Sequence, residues 1–154
     1  MMMELLKTAV KQPLKVNQLQ LSAAFTPSFE AGFHVNMEGP KAAVRDGSVF
    51  EYCRLTDTVI QAWSVLQHGY FKGNFVGKEE FAALNHVLND LAKKYQVTPT
   101  AIALAWVLRY PGKMQAIIGT TNPRHVLEAG KAAAVTLTRK EWYQIYLAAG
   151  NDLP

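Results

Sequence analysis

Three short apolar runs, each closing on polar or glycine residues, set the architecture of this chain: VNQLQL at 16–21, VIQAWS at 59–64 and AIIGTT at 116–121. Two of the three lead into helical patterns. The second run is apolar almost throughout until Trp63 and Ser64, as suits a parallel strand buried on both faces. Phe81, Leu84, Leu88, Leu91 and Tyr95 recur at three and four residues and predict a helix over about 78–95. Thr98-Pro99 supplies an N-cap and a first helical proline for the next helix, which stops before Pro111-Gly112. Asn122-Pro123 repeats that start and opens a helix to about Ala129. Thr138 and Glu141 have capping-box spacing, Leu137 and Trp142 the spacing of a hydrophobic staple, and Gly150 ends the last helix. Shorter helices are expected over 3–10, ended by Pro13, and over 49–55, with a short fourth strand at 132–135. Strands alternating with helices argue for a parallel sheet.

Two connections are long and rich in glycine: 24–48, and 65–77 with its GYFKGNFVG. Such connections in compact domains are usually functional. With 154 residues, 49% of them hydrophobic, the chain is long enough for one core. The net charge of +4 is mild and its Lys and Arg are scattered. A cofactor phosphate or an ordinary solvated surface accounts for it better than nucleic acid does. One cysteine, Cys53, excludes an internal disulfide and fits a reducing cytoplasm. No stretch is long enough to span a membrane, and the opening MMMELLKTAV lacks the apolar core of a signal peptide.

The strongest chemical candidate is Gly119-Thr120-Thr121-Asn122-Pro123. A strand end, two hydroxyls and a capped helix start meet there, with Arg124 and His125 in the first turn. Free N–H groups and the positive end of a helix favour a phosphate; an ordinary strand–helix corner reads the same way. Gln18 and Gln20 share one side of the first strand, where they hold a carboxamide or simply bond each other and water. Trp63 stacks on a flat ring or belongs to the core. His34 and His68 lie in the long connections and His86 on a helix. No histidine pair has metal-ligand spacing, and no HExxH, GxGxxG, phosphate-loop or GxSxG motif occurs.

Taken together, VNQLQLS at 16–22, VIQAWSVL at 59–66, YQVTPTAIALAWVLRYPGKMQAIIGTTNPRHVLEA at 95–129 and LTRKEWYQIYLAAG at 137–150 resemble the aldo/keto reductases, in their bacterial oxidoreductase branch. The resemblance implies the C-terminal half of a (β/α)8 barrel, about four parallel strands with helices, in one incomplete domain over 1–154. A complete barrel takes ~250 residues. It also implies an NADP(H) or NAD(H) cofactor. Gln18 would bond the nicotinamide carboxamide with Asn17 beside it, and Trp63 would stack on the ring. Ser64, Val65 and Leu66 would line the pyrophosphate path, and Gly119, Thr120, Thr121 and Asn122 would wrap the adenosine phosphate. The family's adenosine-site Arg falls at His125, with Arg124 adjacent. Its Asn near the adenine falls at Ala129, after a matching Glu128, which leaves the choice between NADP and NAD open.

The family's catalytic Asp, Tyr, Lys and His lie on the first half of the barrel, and the resemblance finds no counterpart for them here. Losing general acid catalysis forfeits a factor of ~10^2–10^4, so the chain alone is expected to have negligible reductase activity, as a fragment of a longer reductase or, alternatively, as a non-catalytic NADP(H)-binding or structural half-barrel module. Phe25, Phe29, Phe33 and Tyr70 are expected either to line a substrate pocket or to pack their loops. Open strand edges are expected to drive self-association, four strands pairing with four into a pseudo-complete barrel or a face-to-face sandwich.

Overall fold

The computed structural model describes residues 2–28, 48–69 and 72–153. The predicted lining residues Phe29, Phe33 and Tyr70, and His34, lie outside them. In chain order the elements are α1 (Met2–Lys7), β1 (Val16–Gln20), α2 (Ser48–Leu55), β2 (Val59–Trp63), a 3-10 turn (Glu79–Phe81), α3 (Ala82–Tyr95), α4 (Pro99–Leu108), β3 (Met114–Ala116), α5 (Pro123–Gly130), a second 3-10 turn (Lys131–Ala134) and α6 (Arg139–Ala148). The fold is α/β, a parallel sheet with helices.

The sheet runs β1-β2-β3, all parallel. Its register sets Gln18 opposite Gln61 and Gln61 opposite Gln115. Alternation then decides the faces. Ile60 and Ala62 of β2, and Leu21 beyond β1, are buried beneath the helices. Gln18, Gln61 and Gln115 stand in a row on the opposite face, where Gln61 Nε2 donates to Gln115 Oε1 at 3.0 Å.

The core lies between sheet and helices. Every residue of α4 from Ala101 to Val107 is buried, because α4 packs against α3, β3, α5 and the second 3-10 turn. Thr98 caps it, accepting from the Ala101 N–H at 3.2 Å. Beside it the Trp106 and Trp142 rings stack 4.8 Å apart at 9°. Each indole N–H donates to the other residue's backbone carbonyl at 3.0 Å, so two large side chains are buried with their polar atoms satisfied. Leu84, Leu88 and Leu91 of the predicted stripe are buried, with Phe81 and Tyr95 packed at its ends. Gln96, at φ 55°, ends α3 in the left-handed region, its N–H bonded to the Ala92 and Lys93 carbonyls.

The sequence expectation of about four strands is corrected to three among the described residues. Residues 132–135 form most of a 3-10 turn that continues from α5, with Ala132 buried. Three consecutive alanines favour helix over strand. The third strand, which the sequence predicts over 116–119, is Met114–Ala116 and ends earlier. The ladder's last bond runs from Ile117 N–H to Ala62 O at 2.8 Å. Beyond it β2 turns away at Ser64, whose φ is 53°, and no backbone is left to pair.

A candidate nucleotide cleft

Two predicted segments meet at one end of the sheet. A cleft of about 680 Å³ is lined on one side by Trp63, Ser64, Val65 and Leu66, and on the other by Ile117, Ile118, Gly119 and Thr120. His125 and Glu128 of α5 edge it, and Thr100 and Leu104 of α4 line it too.

The first wall is a bent strand end. The positive φ of Ser64 is a strained conformation for a residue with a Cβ. It turns the chain so that Trp63 stays half-exposed while Val65 is buried. The turn is closed by Gln67 N–H to Ser64 O at 2.9 Å, and Ser22 Oγ donates to Gln67 O at 2.5 Å. Asn85 on α3 holds the connection that follows. Its Oδ1 accepts from Gly77 N–H at 2.8 Å, and its Nδ2 lies 2.9–3.1 Å from the Phe75, Lys78 and Phe81 carbonyls. Buried Asn85 thereby fixes Asn74 and Val76, which also line the cleft.

The second wall is the corner before α5. Asn122 Oδ1 accepts from the Arg124 N–H at 3.0 Å, and Thr120 Oγ1 accepts from the Asn122 N–H at 3.2 Å. Thr120 Oγ1 stands 3.4 Å from His125 Nδ1. A Cβ built on Gly119 would meet nothing within 4 Å, so the backbone there faces open space. The cleft thus joins an apolar strip and an indole at one end to hydroxyls, backbone N–H groups and an imidazole at the other. That arrangement suits a ligand carrying flat rings and phosphate. Among the described residues no Tyr, Lys or Asp lines it.

Of the thirteen candidate residues, Trp63, Ser64, Val65, Leu66, Gly119, Thr120, His125 and Glu128 line this cleft. Thr121, Asn122 and Arg124 sit at the corner beside it, the Asn122 carboxamide being used as the helix cap. Gln18 stands on the open sheet face, exposed, with β2 between it and the second wall. Asn17 points the other way, its Nδ2 3.7 Å from the buried Cys53 Sγ. His68 packs against Phe81 and lies 3.6 Å from Glu80. Asn74, Thr100 and Leu104 escaped the sequence reading, since a loop amide and two residues of an apolar helix carry no signal of a cleft. Among the described residues no group of three or more His, Cys, Asp or Glu is placed to hold a metal, and no helix is long and apolar enough to cross a membrane.

The profile of the aldo/keto reductase family matches residues 6–148. The 6-dehydroglucose reductase of Agrobacterium fabrum is 31% identical over 151 residues, which cover 97% of this chain and 43% of that protein. Among solved structures, the thermostable aldo-keto reductase Tm1743 superposes with a TM-score of 0.63 at 21% identity, covering 94% of this chain and 43% of its own. An aldo-keto reductase from Klebsiella pneumoniae, solved in complex with NADPH, gives 0.60 at 20%, covering 85% and 38%. The chain belongs to the aldo/keto reductase family. It spans less than half the length of these relatives, and its sheet and helices form part of their (β/α)8 barrel.

Proposed function

We propose that this chain is the nicotinamide-dinucleotide-binding portion of an aldo/keto reductase, one incomplete barrel domain acting in the cytoplasm, and that it does not reduce carbonyls unaided. The observation that carries this reading is the cleft itself. Segments 63–66 and 117–120, far apart in sequence, face each other across a space edged by a helix start. NADP(H) or NAD(H), when bound, supplies the hydride for carbonyl reduction. Trp63 offers an indole face to the nicotinamide, and Ser64 to Leu66 pass along the pyrophosphate. Gly119 and Thr120 leave backbone and hydroxyl donors for phosphate oxygens, and His125 and Arg124 add donors at the adenosine end. Among the described residues the lining holds no phenol to give a proton to a carbonyl oxygen, and without one the hydride has no efficient outlet.

Titration with NADPH tests this, read by tryptophan fluorescence. Trp63 is half-exposed at the cleft, while Trp106 and Trp142 are buried away from it, so quenching is expected from Trp63 alone and is expected to vanish in Trp63→Phe. No quenching together with no calorimetric heat would refute the reading. Steady, aldehyde-dependent loss of NADPH absorbance by this chain alone would refute the inactivity.

A further inference from the structure

We infer that a cavity between the end of α4 and the start of α6 is a binding site for a small aromatic carboxylate, separate from the nucleotide cleft. Arg109 and Arg139 clasp the carboxylate, and the aromatic wall beside them takes the ring.

The cavity has a volume of about 400 Å³ and is lined by Arg109, Tyr110, Pro111, Arg139, Trp142 and Tyr143. Pockets for small organic ligands are of this order, mostly apolar with a few polar groups that fix the ligand. Among the described residues it shares none of its lining with the cleft. Thr100 of the cleft and Arg109 lie at opposite ends of α4, about 13 Å apart at about 1.5 Å per residue.

Its walls are held by the protein itself. Arg109 Nε donates to Leu137 O at 2.8 Å, and the Arg139 guanidinium lies over the Tyr143 ring, 5.8 Å from its centre. Among the described residues neither arginine takes part in an ion pair. Arg139 does not serve its own helix either, because a cation in the first turn of α6 opposes the helix dipole. Trp142 is stacked with Trp106 at 9° and with Tyr146 at 11°, and Tyr143 crosses it at 85°. The Phe50 and Tyr110 rings meet at 4.8 Å and 71°. Burial pushes the Tyr110 phenol up against the pull of Arg54, so that wall is uncharged at neutral pH. Two guanidiniums without carboxylates beside apolar rings set the ligand class. A guanidinium fork matches the two oxygens of a carboxylate, and the aromatic wall favours a flat ring. Among the described residues no Ser, Thr, Lys or Gly lines the cavity, so it lacks the cradle of donors that a phosphate takes.

The test is titration of the full chain, carrying nitrogen-15-labelled tryptophan, with 2-naphthoate at neutral pH. The Trp142 indole N–H signal is expected to shift and saturate in the sub-millimolar range while the Trp63 signal stays in place. Uncharged 2-naphthamide and ring-free acetate are each expected to bind at least tenfold more weakly. Arg139 is exposed, so Arg139→Gln and Arg139→Lys are expected to leave urea unfolding unchanged. Each is expected to cost at least tenfold in affinity, since the lysine keeps the charge but not the fork. The absence of a saturable Trp142 shift, a shift confined to Trp63, equal binding of 2-naphthamide, or full affinity in either variant overturns the inference. Competition between 2-naphthoate and NADPH would place the anion in the cleft and overturns it as well.

Discussion

Replacing Glu141 by Gln tests whether the tie between α3 and α6 rests on a buried charge. Glu141 is buried and takes four hydrogen bonds: Lys94 Nζ at 2.6 Å, Tyr95 Oη at 2.9 Å, and Thr138 N and Oγ1 at 2.7 Å each. Burial pushes its carboxyl up, but those four donors outweigh burial and hold it down from 4.5 to about 2. At about 1.36 kcal/mol per pKa unit, that difference corresponds to roughly 3 kcal/mol. The Lys94 side chain is 59% exposed, and water screens its share, which leaves ~2 kcal/mol. A carboxyl whose pKa is depressed by folding stabilises fully above its unfolded value and loses that contribution as pH falls through the folded one. The window here is therefore between about pH 4.5 and pH 2. Urea unfolding followed by circular dichroism should show Glu141→Gln weaker by ~2 kcal/mol at pH 7, a midpoint shift of roughly 1 M. The gap should narrow steadily below pH 4.5. A difference under ~0.5 kcal/mol at pH 7, or one of constant size down to pH 2.5, would show that the charge is not what joins the helices.

Two further substitutions probe the cleft walls. Asn85→Ala strands the Gly77 N–H and the carbonyls of Phe75, Lys78 and Phe81, and is expected to cost ~2–4 kcal/mol, with hydrogen-exchange protection lost first across 74–81; protection there equal to wild type would refute the anchoring role. Gly119→Ala puts a methyl group into open space, so stability should stay within ~0.5 kcal/mol while NADPH affinity falls at least tenfold; unchanged affinity would place the phosphates elsewhere.

The residues that read clearly from sequence are those whose signal is local. Thr98, Asn122 and the Thr138–Glu141 box announce helix starts through short-range hydrogen bonds, and each is made as its spacing predicts. Strands β1 and β2 read from runs whose apolar positions face the helices. The end of β3 did not read, because Ile117 and Ile118 continue an apolar run after the neighbouring strand has turned away. Residues 132–135 misled for the converse reason: Ala132 is buried by packing, and burial alone does not separate a strand from a 3-10 turn. The role of Asn85 was invisible, since its partners are backbone groups of a glycine-rich connection. The facing walls of the cleft were legible as separate segments, while Thr100 and Leu104 needed the packing of α4 to be found.

The enclosure of α4 by its own neighbours has a bearing on how such barrels arise. The apolar mass that stabilises this piece sits outside the lumen, so hollowing or halving the lumen leaves that mass intact.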